Sequence, residues 1–171
     1  MKSYSLTTLF AIGSLYATAA TGQQNTVLPD YPNSYEIVRD VVEMPAGRQM
    51  GSGNAIDIDS RGNVWVFERC GGNNGACPES DVDPVLQFSP EGKLLSSFGS
   101  GLFVWPHGIV VDEDDNLWII DAGVIEGEKG NQIFKFTQDG TLLLELGEPG
   151  VRGDGPGQFN EPSDLAFGPD G

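Results

Sequence analysis

One twelve-residue pattern returns at a fixed distance, and this recurrence limits the possible folds more than any compositional figure. Ala55-Ile56-Asp57-Ile58-Asp59-Ser60-Arg61-Gly62-Asn63-Val64-Trp65-Val66 aligns with Gly108-Ile109-Val110-Val111-Asp112-Glu113-Asp114-Asp115-Asn116-Leu117-Trp118-Ile119, so Trp65 returns as Trp118, 53 positions on. A second half-unit repeats as well: Val85-Leu86-Gln87-Phe88 corresponds to Ile133-Phe134-Lys135-Phe136, and each is followed by a Leu-Leu segment ending at Gly99 or Gly147. A third copy begins at Pro162-Ser163-Asp164-Leu165-Ala166-Phe167 and runs into Gly168-Pro169-Asp170-Gly171. Short β-branched and aromatic clusters separated by Asp-Gly, Asp-Asp-Asn and Glu-Gly read as four strands per unit, joined by tight turns. Units of about 40–50 residues with four strands each are the pattern of propeller blades. One twisted four-stranded sheet cannot bury both its faces, and neighbours stacked around an axis do this for each other.

The expected fold is therefore all-β: a β-propeller of which the chain carries about two blades and the start of a third. The units span about 50–99, 103–147 and 158–171, within a propeller domain over 35–171. Tyr35 to Val42 reads as one further strand, a candidate for completing the last blade. Two units and a beginning fall short of a ring of four to eight blades. The chain is thus expected to be an N-terminal piece, inactive alone, of a protein about twice as long.

Lys2, the apolar run Leu9 to Tyr16 and the small residues Ala17-Thr18-Ala19-Ala20 have the layout of a secretory signal peptide over 1–20. Residues 21–34 read as a linker. No later run is long and apolar enough to span a bilayer as a helix, so a secreted or periplasmic protein without membrane insertion is expected. The 24 Gly and 11 Pro suit many turns. A net charge of −16 argues against nucleic-acid binding, which needs a basic surface. The acidity fits solubility or calcium binding equally well. Cys70 and Cys77 enclose a Gly-rich stretch, and in an exported chain they read as a disulfide, with free thiols or two soft metal ligands as the alternatives.

In a propeller the first strand of each blade lines the axis. The corresponding positions leading into that strand are Asn54, His107 and Ser163, and His107 is the one histidine in the chain. Its imidazole reads either as a ligand of a metal on the axis, zinc by preference, or as a ring packed beside Trp105 and bonded to backbone. Arg69 lies just before the Cys70–Cys77 loop, where a guanidinium could hold a carboxylate with paired hydrogen bonds or join a surface salt bridge. Asp57, Asp59, Asp112, Glu113, Asp114 and Asp115 read as turn-capping carboxylates. Trp65 and Trp118 read as blade-core residues.

Phe67-Glu68-Arg69, followed by Pro106-His107-Gly108-Ile109-Val110-Val111-Asp112 and Asn116-Leu117-Trp118-Ile119-Ile120-Asp121, resembles the peptidyl-α-hydroxyglycine α-amidating lyase family, over roughly residues 50–171. The resemblance implies a six-bladed propeller of NHL-type repeats. It implies release of a peptide amide and glyoxylate from a C-terminal α-hydroxyglycine bound in the central channel. It makes His107 the first of three zinc histidines and Arg69 the catalytic arginine. The carbonyls of Ile56 and Ile109 would hold a structural calcium. The other two histidines and a catalytic tyrosine have no counterpart in the chain, and Glu68 and the Cys70–Cys77 loop depart from the animal pattern. A monomer acting on a small peptide or other small molecule is expected. The competing readings are a non-catalytic NHL binding module and a calcium-dependent propeller hydrolase or lactonase.

Overall fold

The computed structural model describes residues 35–72, 77–78 and 80–169. The segments read as signal peptide and linker lie outside them. The described residues form β-strands and turns with no helix, so none is long and apolar enough to cross a membrane.

Eight strands make two antiparallel sheets. The first contains β1 (Gly53–Ile58), β2 (Val64–Glu68), β3 (Val85–Phe88) and β4 (Leu94–Phe98), in chain order. The second repeats this with β5 (Pro106–Val111), β6 (Leu117–Ile125), β7 (Lys129–Phe136) and β8 (Leu142–Leu146). β5 packs beside β1 and β2, whereas no Cα of β8 comes within 8 Å of β4. The sheets therefore splay outward from their first strands, as blades around an axis do.

Side chains alternate between the faces of a strand, and this sorts each blade's apolar residues. Trp65, Phe67 and Val85 of the first blade join Ile109, Leu117, Ile119 and Phe136 of the second around Phe103. Val66, Leu86 and Phe88 point the other way and form a second cluster with Val42, Met44 and Met50. Phe103 precedes β5 and is fully buried, its ring edge-on to Phe67 at 4.9 Å and to Phe134 at 5.7 Å. Trp65 is fully buried as expected of a blade-core residue. Trp118 is half-buried: Phe167 of the third copy meets its ring at 5.8 Å, and Lys135 lies over it at 5.2 Å.

Two expected strands are absent. Residues 35–41 form no ladder, and Tyr35, Ile37, Val38 and Val41 are exposed. A strand requires a partner edge, and the nearest pairing is the single bridge between Glu43 and Lys93. Residues 162–168 of the third copy likewise have no ladder partner among the described residues, although Ser163 and Phe167 reach the second blade.

Candidate active site on the first strands

Both first strands carry an irregularity at the same place. Gly53 pairs with Glu68 and Ala55 with Phe67, which leaves Asn54 as the extra residue. Pro106 pairs with Asp121 and Gly108 with Ile120, which leaves His107. A β-bulge of this kind turns one residue out of the alternation and re-aims it, often beside a functional site. The histidine thus sits on the innermost strand of its blade, at the bulge. Its Nδ1 lies 2.8 Å from the Ser163 carbonyl oxygen. A carbonyl only accepts, so Nδ1 carries a proton, and in the neutral ring this leaves the lone pair on Nε2. Gly108 makes this approach possible, because a Cβ there would lie 3.1 Å from the same oxygen and 2.5 Å from Ile120 Cδ1.

His107 borders two hollows. A cleft of about 520 Å³ is lined by Trp105, His107, Ala122, Gly123, Arg152 and Ser163, with Glu161 paired to Arg152 at 2.9 Å. A smaller one of about 380 Å³ is lined by Ala55, Ile56, His107, Ile109, Ser163 and Asp164, so the leading segments of all three copies meet there. Ile56 and Ile109, expected to offer carbonyls to calcium, border this second hollow together.

Arg69 is half-buried, and its guanidinium carbon sits 4.2 Å from the centre of the Trp105 ring. Among the described residues it has no carboxylate partner, and its Nε is buried without a hydrogen bond. The contact it does make is a cation–π one with a residue of the cleft. Cys70 and Cys77 are joined as a disulfide with S–S 2.01 Å. Cys77 is buried and donates its N–H to the Val104 carbonyl at 2.9 Å, which ties the loop beside Arg69 to the segment leading into β5. Arg69 is thus brought beside Trp105, 36 positions later in the chain and two before His107.

The turn carboxylates do more than cap. Asp59 and Asp112 hold their own turns, as expected, and each also accepts an indole N–H, from Trp65 at 3.3 Å and Trp118 at 3.0 Å. Asp57 and Asp115 instead reach across the blades, to the Val111 N–H at 2.7 Å and the Ser60 N–H at 2.8 Å. Trp105, Gly123 and Arg152 were not singled out in the sequence. Trp105 had a signal in its place two residues before the one histidine; the other two reach the cleft only through folding. Among the described residues, no three His, Cys, Asp or Glu side chains gather as metal ligands.

No protein-family model matches the chain. Individual proteins do. It is 30% identical over 135 residues to peptidyl-α-hydroxyglycine α-amidating lyase 1 of Drosophila melanogaster, covering 69% of this chain and 24% of that protein. It is 29% identical over 137 residues to peptidylglycine α-amidating monooxygenase of Rattus norvegicus, covering 70% of this chain and 13% of the relative. It is 32% identical over 121 residues to NHL repeat-containing protein 3 of Mus musculus, covering 67% and 31%. The chain spans well under half the length of each of these relatives. Its two repeat-built blades and these matches together make the chain a homologue of the peptidyl-α-hydroxyglycine α-amidating lyases and the NHL-repeat proteins, a β-propeller fragment by fold.

Proposed function

We propose that the intact protein is an exported, metal-dependent carbon–nitrogen lyase that cleaves a C-terminal α-hydroxyglycine into a peptide amide and glyoxylate. In this reading the present chain contributes the arginine and the first metal-binding histidine. The observation that carries it is the His107 imidazole at the bulge of β5, held through Nδ1 by the Ser163 carbonyl so that Nε2 is the nitrogen open to a ligand. Ligating histidines commonly donate their other ring N–H to a backbone carbonyl in this way. The donor chemistry fits zinc, which accepts neutral imidazole nitrogen. Zinc, if held there, would supply a Lewis acid for a hydroxyl oxygen.

The other tasks fall to this chain's own side chains. Arg69, laid on Trp105 with no carboxylate partner among the described residues, is poised to hold the carboxylate of the leaving glyoxylate. The disulfide ties Cys70, next to Arg69, to Cys77, whose N–H is bonded to the Val104 carbonyl. The balance is simple: the carbon–nitrogen bond breaks, the hydroxyl oxygen becomes the aldehyde oxygen, and the amide nitrogen gains a proton. The remaining metal ligands and the tyrosine would come from outside the described residues. Calcium on the Ile56 and Ile109 carbonyls would brace the hollow that these residues share. Export is supported by the disulfide, since such bonds persist in oxidising compartments.

The test uses the intact protein and a peptide ending in α-hydroxyglycine, with glyoxylate release and zinc content as readouts. His107→Ala is expected to lose both together, by at least the roughly 10–100-fold that mutating a ligand's supporting partner costs. Undiminished glyoxylate release from that variant would refute the assignment.

A further inference from the structure

Two buried carboxylates occupy one repeat position. Glu68 ends β2 and Asp121 lies in β6, 53 positions on, and both are 0% exposed. Each accepts an N–H from the segment leading into its blade's first strand. Glu68 takes Gly51 at 2.7 Å; Asp121 takes Val104 at 2.8 Å and Trp105 at 2.6 Å. Gly51 and Val104 are themselves 53 positions apart. Each carboxylate takes one more N–H nearby, from Gly71 at 2.8 Å or Gly123 at 3.3 Å. Arg48 completes the set on Glu68 at 2.8 Å.

Burying a carboxylate is costly unless it is fully bonded, and here the bonds go to backbone N–H groups that would otherwise be left unpaired. The carboxylates thus hold the backbone of the segments approaching the axis. In the second blade that segment carries Trp105, on which Arg69 lies, and His107 follows two residues later. Gly123 completes the fit, since a Cβ there would stand 2.6 Å from Trp105 Cβ.

We propose that Asp121 is a positioning residue for this cleft: by clamping the Val104 and Trp105 N–H groups it sets the Trp105 ring and the aim of the His107 imidazole. Glu68 does the corresponding work for the loops flanking Arg69. The inference deepens the proposed function and rests on its reading of His107 and of Arg69, laid on Trp105, as ligand-facing.

The test observes the His107 imidazole by ¹⁵N NMR in the intact protein, its ring signals assigned by their loss in His107→Ala. Asp121→Asn keeps the size of the side chain but replaces one acceptor by a donor. The Val104 and Trp105 amides are expected to exchange about tenfold faster or more. The His107 ring signals should depart from the Nδ1–H pattern, with β1–β4 unchanged. Glu68→Gln should leave His107 alone and loosen Gly51 and Gly71. Gly123→Ala, which presses on Trp105 while keeping the carboxylate, should disturb the same His107 signals. Unaltered Val104, Trp105 and His107 signals in Asp121→Asn overturn the proposal, as does uniform loss of protection throughout β5–β8, which marks a general structural role. The lyase reading is judged apart from this: an unmodified intact protein that releases no glyoxylate would end that reading and leave the NMR outcome standing.

Discussion

Asp59 carries several duties with one side chain. It accepts N–H groups from Arg61 at 3.0 Å and Asn63 at 2.9 Å, the Asn63 amide at 2.9 Å, and the Trp65 indole. Asp112 does the same for its turn and adds Lys135 at 2.7 Å. Burial alone would raise both carboxyls, but these hydrogen bonds outweigh it and hold each at about 2, below the ordinary 3.8. A carboxyl depressed by folding stabilises the native state fully above its unfolded value, and this contribution is lost as pH falls through the folded one. Denaturant midpoints are therefore expected to drop as pH is lowered from about 4 to about 2, and Asp59→Asn should flatten that slope. A midpoint that stays constant over this window would contradict the assignment.

Among the elements, the first-strand bulges and the Cys70–Cys77 disulfide bear on the surroundings of His107. The bulges matter because the strand would otherwise alternate regularly, and one extra residue re-aims the position holding His107. The loop matters because its disulfide anchors Cys77, which bonds the Val104 carbonyl beside the cleft. Closing so short a loop restricts the unfolded chain by about 2.5 kcal/mol. The double variant Cys70→Ala/Cys77→Ala should lose about that much in urea unfolding while keeping both sheets by circular dichroism. No change in stability would mean that the bond restrains little.

At the scale of the whole molecule, the two blades are held by a shared core and by polar links across it. Phe103 fills the core between Phe67 and the phenylalanines of β7. Asp57, Asp115 and Gln138 cross from blade to blade, Gln138 donating to Asp59 at 3.2 Å. Lys129 spans two chain segments, donating to the Pro78 and Gly101 carbonyls. Phe103→Ala removes the central ring and should cost about 3–5 kcal/mol. Thermal unfolding should show that loss as one cooperative shift of both blades, whereas a transition confined to one sheet would mean that the blades fold separately.

The repeat itself, the four strands per unit, the turn roles of Asp59 and Asp112 and the inner place of His107 were legible in the residues. Strand alternation and turn chemistry act over a few neighbours, and a spacing of 53 between Trp65 and Trp118 survives in the bare string. The failure of Tyr35 to Val42 as a strand was not legible, because apolar alternation cannot report whether a partner edge is present. Nor could the string tell that Arg69 stacks on Trp105, that Asp57 and Asp115 bond across blades, or that Asp121 clamps the approach to His107. Those contacts depend on the angle and distance at which one sheet meets the next, and only the folded chain decides these.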